Sequence, residues 1–215
     1  MKHTINQSTL WVYTTAFIMS FNGGYINSIC LVSTLKNAVG YVTGNLTLAG
    51  DSFEKSNYIL FFHVLFLVLC FLGGSIVSGL IVKGQNLEKD NRYNISLLLQ
   101  IIFIFISIIM LFFGYKSSSY LLAITMGMQN AMTTHYGTAL IRTTHMTGTT
   151  TDLGILIARY IKGYSIEYWK LILYITLIIG FFFGAIMGAI IYSWINVFAL
   201  FISIIIYAVM IKLKN

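Results

Sequence analysis

An all-helical, polytopic transmembrane bundle is the fold class this sequence predicts, and three observations carry it. Hydrophobic residues make up 58% of the chain and charged residues 9%, where a soluble domain carries about a quarter charged residues. Unbroken apolar runs, such as ILFFHVLFLVLCFLGGSIVSGLIV from Ile59 to Val82, reach the roughly 20 residues a helix needs to cross hydrocarbon. These runs lack the apolar/polar alternation that the strands of an outer-membrane barrel require.

Six spans are expected, at 9–35, 58–82, 94–114, 119–141, 169–193 and 195–211, within one transmembrane domain covering 1–215. Lysine and arginine sort by side. Lys2, Lys83, Lys89, Arg92, Arg142, Arg159, Lys162, Lys170, Lys212 and Lys214 fall on the face of the termini; Lys36, Lys55 and Lys116 fall on the other. That bias puts both termini in the cytoplasm. Tyr168, Trp169, Tyr192 and Trp194 flank the fifth span as interfacial anchors. The net charge of +7 follows from the same flanking cations. It carries no basic cluster interleaved with aromatics, so no nucleic-acid partner is expected. Cys30 and Cys70 lie inside apolar segments and form neither a disulfide framework nor a metal spacing. The first apolar run extends past a signal-peptide core without a small-x-small site, so a cleaved leader is not expected.

An internal repeat runs through the chain. Gly24 and Asn27 return 103 positions later as Gly127 and Asn130. Thr43, Gly44 and Gly50 return after 104 as Thr147, Gly148 and Gly154, and Gly74 and Ser78 are answered by Gly184 and Gly188. Two halves, 9–114 and 115–213, each hold three spans. An odd number of crossings inverts the second half, which is the arrangement of many secondary transporters. A duplication that merely built a stable bundle would leave the same trace.

The polar segments suggest where a solute would sit. The chain has no proline, so a helix break must come from glycine or from hydrogen-bonding side chains. Asn22-Gly23-Gly24 in span one, and Gly127, Gln129 and Asn130 in span four, are expected to soften their helices beside a central site. Interhelical bonding by the same amides is the plainer reading. IRTTHMTGTTTDLG, residues 141–154, holds six threonines. It reads as a capped helix start with an acid in the first turn, and TGNLTLAGD in the first half has the same character. Such starts bind anions through outward amides.

The expected solute contacts are Asn22, Gly24, Asn27, Thr43, Gly44, Asn45, Gln129, Asn130, Arg142, Thr143, Thr147, Gly148, Thr149 and Thr150, with Asp152 as the coupling residue. Thr147, Thr150 and Thr151 are expected on one helix face. Arg142 can hold a carboxylate or phosphate with two parallel bonds, and an interfacial anchor is its commoner role. His135, His145 and Asp152 match no ligand spacing, so no metal is expected. His63 reads as a satisfied packing residue. The stripe Gly180, Gly184, Gly188 permits close helix approach, within the chain or to a second copy.

Gly24-Tyr25-Ile26-Asn27, Thr43-Gly44-Asn45 and the 141–154 block resemble the signatures of the YoaK-like family, six-span bacterial membrane proteins grouped under a domain of unknown function. The resemblance covers nearly the whole chain and implies a bacterial inner-membrane setting. Position 27 departs from it, being Asn where relatives often carry Asp. Taken together, the sequence predicts a secondary transporter moving a small polar solute, biased toward anions by Arg142, through a site between spans one and four. A channel or a membrane assembly partner is the alternative, and a homodimer would fit either. An intramembrane enzyme is less favoured, since the sequence has no nucleophile elbow, no zinc-protease pair and no acidic phosphate-metal cluster. No cofactor is expected, and the lipid bilayer is the only other partner.

Overall fold

A computed structural model describes residues 9–82, 92–136 and 142–214, without the side chains of Thr9, His135, Tyr136 and Lys214. Lys2, Lys83, Lys89 and the His135 side chain, which entered the topology and metal readings, lie outside the described residues. Within them the chain is helical: α1 (Thr9–Val32), α2 (Val42–Glu54), α3 (Tyr58–Ile81), α4 (Arg92–Phe112), α5 (Ser118–Tyr136), α6 (Met146–Ile161), α7 (Tyr168–Ile195), a 3-10 turn (Asn196–Leu200) and α8 (Phe201–Lys214).

Four stretches among the described residues are long and apolar enough to cross a membrane: Leu10–Val32, Tyr58–Ile81, Arg92–Phe112 and Tyr168–Leu213. This is a membrane protein by that measure. The last stretch is interrupted at Asn196, whose φ of 51° stops α7. α5 is less apolar because it carries Thr125, Gln129, Asn130, Thr133 and Thr134, four of which are buried. The two short helices, α2 and α6, each end in the same way. Asn57 N–H bonds to Ser52 O and Ser56 N–H to Phe53 O; Tyr164 N–H bonds to Arg159 O and Gly163 N–H to Tyr160 O. Both are Schellman closures, with Ser56 and Gly163 at positive φ.

Glycine sets the main packing seams. A Cβ on Gly24 would strike Phe181 O of α7, and one on Gly127 would strike Phe71 O of α3. Reciprocally, a Cβ on Gly184 would strike Phe21 O, and one on Gly74 would strike Ile124 O. Matching positions of the two halves thus make matching contacts, α1 on α7 and α3 on α5. The stripe of Gly180, Gly184 and Gly188 meets Phe17, Phe21 and Tyr25 of α1, so its partner lies within the chain.

This corrects the expectation of softened helices. α1 runs unbroken through Asn22-Gly23-Gly24, and α5 runs unbroken through Gly127–Asn130. Gly24 and Gly127 are small because a neighbouring backbone lies against them. Gly23 is small because Thr143 and Thr144 of the loop before α6 lie over it.

Candidate functional site

The loops before α2 and α6 fold back onto α1 and α5. Asn27 Oδ1 accepts from Gly40 N–H at 2.7 Å, and Asn130 Oδ1 accepts from Thr144 N–H at 3.1 Å. One asparagine on each long helix therefore holds the loop that starts each short helix. The pairs correspond: 27 to 130 is 103 positions, and 40 to 144 is 104.

Between the loops lies a cavity of about 790 Å³. Its walls come from equivalent positions of both halves. Asn27 and Asn130 face it, as do Thr43 and Thr147 from the first turns of α2 and α6, and Phe71 and Phe181 from α3 and α7. Ala38 is matched by Arg142, Gly40 by Thr144, and Tyr41 by His145. The first backbone bonds of the short helices are Asn45 N–H to Tyr41 O and Thr149 N–H to His145 O. The amides ahead of them, at 42–44 and 146–148, have no partner within the helix. Two positive helix ends thus meet one cavity.

The threonine block is used differently from expectation. His145, not a threonine, is the N-cap of α6, and its side chain makes no capping bond. Its ring lies against Gly148, as the Tyr41 ring lies against Gly44. Asp152 is seven residues into α6, past the first turn. Thr149 and Thr151 turn their hydroxyls back to His145 O and Thr147 O, the local bonding that competes with capping. On α6, only Thr147 of the expected face lines the cavity; Thr150, Thr151 and Asp152 are exposed elsewhere.

Asn22, Gln129 and Thr143 form a buried network behind the cavity wall. Gln129 Oε1 accepts from Asn22 Nδ2 at 3.1 Å and from Tyr207 Oη at 2.8 Å. Gln129 Nε2 donates to Met19 O at 2.9 Å and Thr143 Oγ1 at 2.8 Å, and Ser20 Oγ donates to Thr143 O at 3.1 Å. These groups fix the loop before α6. Asn45 is buried and donates to Ala38 O at 3.4 Å, bracing the other loop. Of the expected contacts, the cavity therefore gathers Gly24, Asn27, Thr43, Asn130, Arg142 and Thr147. Asn22, Asn45, Gln129 and Thr143 support it, and Gly44, Gly148 and Thr149 shape the short helices.

Sequence reasoning missed Tyr41, Phe71, Phe181 and Thr144 as lining residues. Phe71 and Phe181 sit 110 positions apart, three residues before the already paired Gly74 and Gly184, which is the signal that could have found them. His63 on α3 bonds through Nδ1 to Tyr120 Oη at 2.7 Å, as a packing residue would. Outside the apolar helices, Lys170 bonded to Glu167 holds that carboxyl below its ordinary range.

With this architecture in place, the class is a helical membrane protein with a cavity of mixed polar and apolar lining framed by two short helices. A match over residues 15–213 assigns the chain to the family described as Protein of unknown function (DUF1275), and the chain belongs to that family. No curated protein and no solved structure matches it.

Proposed function

We propose that this chain is a six-span, YoaK-like secondary transporter of the bacterial inner membrane, with both termini cytoplasmic, moving a small anionic solute through the central cavity. The observation that carries the reading is the cavity itself, lined by matched positions of both halves and faced by the first turns of α2 and α6. In transporters built from inverted repeats, half-helix N-termini at the repeat interface meet anionic substrate groups.

Helix directions support the inversion. Gly180, Gly184 and Gly188 meet Phe17, Phe21 and Tyr25 in rising order, so α1 and α7 are parallel. His63 meets Tyr120 while Phe71 and Ser75 meet Gly127, so α3 and α5 are parallel. Phe105 meets Phe201 edge-on and Phe112 meets Phe198 of the preceding turn, so α4 and α8 are antiparallel. Tyr25 Oη reaches Ala199 O, while Tyr207 Oη reaches Gln129, which itself bonds Met19 O; α8 therefore runs against α1. The short turn at 113–117 joins α4 to α5 in opposite directions. The six helices α1, α3, α4, α5, α7 and α8 then alternate in direction along the chain. α1, α3 and α4 each run opposite to their counterparts α5, α7 and α8. Repeats of 9–114 and 115–213 inverted across the membrane plane have this pattern, and α2 and α6 become half-helices entering from opposite faces.

Arg142 beside the cavity adds the fixed positive charge. Asp152, exposed on α6 away from the cavity, is the weaker part of the sequence expectation, and the reading assigns coupling to no residue. Uptake by the full chain in liposomes tests the function. A pool of anionic metabolites is presented under an imposed pH or sodium gradient, and the trapped solutes are identified by mass. Accumulation of an anion above its outside concentration, reduced in Arg142→Ala, is expected. Equilibration without accumulation would indicate a channel, and no uptake above protein-free vesicles would end the solute reading.

A further inference from the structure

The two asparagines that hold the loops are not equally satisfied. Asn130 Nδ2 donates to Met126 O at 2.9 Å and to Thr144 Oγ1 at 2.7 Å. At the place of Thr144 the first half has Gly40, which offers no hydroxyl. The Asn27 carbonyl oxygen is committed to Gly40 N–H, an assignment fixed by chemistry, since only the oxygen can accept from that amide. Asn27 Nδ2 makes no hydrogen bond to any described residue, and Asn27, 7% exposed, lines the cavity. That donor opens on the cavity, where it is free to bond an acceptor on a bound molecule. It faces the same space as the unpaired first-turn amides of α2 and α6.

The rest of the wall limits what could accept. Phe71 of α3 and Phe181 of α7 both line it, and Leu31, Ala131 and Ala185 extend the apolar surface. The fixed charge is one-sided: Arg142, His145, Thr144 and Thr134 stand where the other half has Ala38, Tyr41, Gly40 and Leu31, while Ser28 and Ser75 of the first half stand where the second has Ala131 and Ala185. Hydrated inorganic anions would leave the apolar wall unfilled and lose water without replacement. A neutral apolar molecule would leave Arg142, Asn27 Nδ2 and the helix ends unused. A ligand with one charged end and an apolar body suits both.

We propose that the cavity binds a small organic monocarboxylate with an aromatic or branched aliphatic body, and that Asn27 Nδ2 donates to its carboxylate while Phe71 and Phe181 flank the body. This rests on the reading of the cavity as the solute site and names the class of solute.

The test is thermal stabilisation of the purified full chain in detergent, where a ligand that binds the folded state raises the midpoint. The probes are isovalerate, benzoate and cinnamate, set against sulfate, phosphate and benzyl alcohol. At least one of the three carboxylates should stabilise the chain, and sulfate, phosphate and benzyl alcohol should not. Asn27→Asp retains an acceptor for Gly40 N–H but replaces the free donor with negative charge. It should keep the fold and weaken carboxylate binding roughly tenfold to a hundredfold. Thr150→Val, outside the cavity, should bind as the parent does.

Equal stabilisation by sulfate or phosphate would overturn the carboxylate assignment while leaving an anion site standing. Stabilisation by benzyl alcohol as strong as by benzoate would overturn the role of the charged end. Failure of all three carboxylates would also overturn the assignment, and liposome uptake of some other anion would show that the transport reading survives it. If Asn27→Asp folds and binds carboxylates as tightly as the parent, Asn27 is not the donor and the proposal fails.

Discussion

The loops at 38–41 and 142–145 do the same job with different chemistry. Each returns to a long helix, offers a backbone amide to an asparagine there, and starts a short helix at the cavity. Behind the second loop stand Ser20, Gln129, Thr143 and Tyr207, joined by hydrogen bonds. At the positions matching Ser20, Gln129 and Thr143 stand Ala123, Ile26 and Val39, all buried. Beyond the asparagine bond they share, the second loop is held by a polar network and the first by apolar packing and the Asn45 bond to Ala38 O. The shared glycines and asparagines therefore mark matching backbone geometry, while the side-chain chemistry at matching positions differs. The difference puts the cation Arg142 in the cavity wall where the matching position carries Ala38.

The largest effect should come from the seams that the halves share. Gly24→Ala and Gly127→Ala each drive a Cβ into a neighbouring carbonyl and should each cost about 3 kcal/mol. Gly73→Ala, with open space at its Cβ, should be neutral or stabilising by about 0.5 kcal/mol. Thermal or denaturant unfolding in detergent reads all three. A tolerated Gly24→Ala beside a damaging Gly127→Ala would break the equivalence of the seams.

Next comes the difference between the loops. Gln129→Leu orphans Asn22, Thr143 and Tyr207 and should cost about 2 kcal/mol, moderated because buried polar pairs in membranes contribute less than in isolation. Its counterpart Ile26→Leu should cost under about 1.5 kcal/mol, because volume and polarity are kept. Stability measurements that reverse this order would show that packing, not the network, holds the second loop.

Ligand binding should follow the polar side of the cavity. Arg142→Ala is expected to weaken anion binding about tenfold, Arg142→Lys to recover part of it, and Ala38→Arg to add a cation at the matching position. Thr43→Val and Thr147→Val should each weaken binding severalfold with little change in stability, because each loses one hydroxyl at the cavity. Titration against the thermal-shift probes measures these effects. Loss of binding in step with loss of stability would return the threonines to a purely structural role.

The smallest effect lies at the ends of the short helices. Ser56 adopts φ 55° where the other half has Gly163 at φ 77°. Ser56→Gly should stabilise by roughly 1 kcal/mol, and Gly163→Ser should destabilise by about as much. Stability changes of the same sign at both sites would mean that the two closures are not under the same backbone demand.

Much of this was readable from residues that answer to backbone demand. Gly24, Asn27, Thr43 and their counterparts were legible because close approach and loop capture admit few residue types. The unbroken course of α1 was not legible at Asn22-Gly23-Gly24, because glycine marks a break and a tight contact with the same letter. The threonine block looked like capping since hydroxyls serve there, yet on a helix Thr149 and Thr151 bond the preceding turn instead. Pairs such as Ala38 with Arg142 and Gly40 with Thr144 share a place but no identity, so only the fold could match them. The open donor on Asn27 depended on that last pair and was invisible in the sequence.

The central claim is that the two short helices enter from opposite faces of the membrane and meet at one cavity. Their ends, Lys55 and Lys162, are the C-caps of α2 and α6. In a background with Cys30 and Cys70 replaced by alanine, Lys55→Cys and Lys162→Cys would be probed in intact cells with a membrane-impermeant maleimide. Labelling of Lys55→Cys in intact cells, with labelling of Lys162→Cys only after lysis, is the expected result. Labelling of both, or of neither, before lysis would place the helices on one face and contradict the inverted architecture.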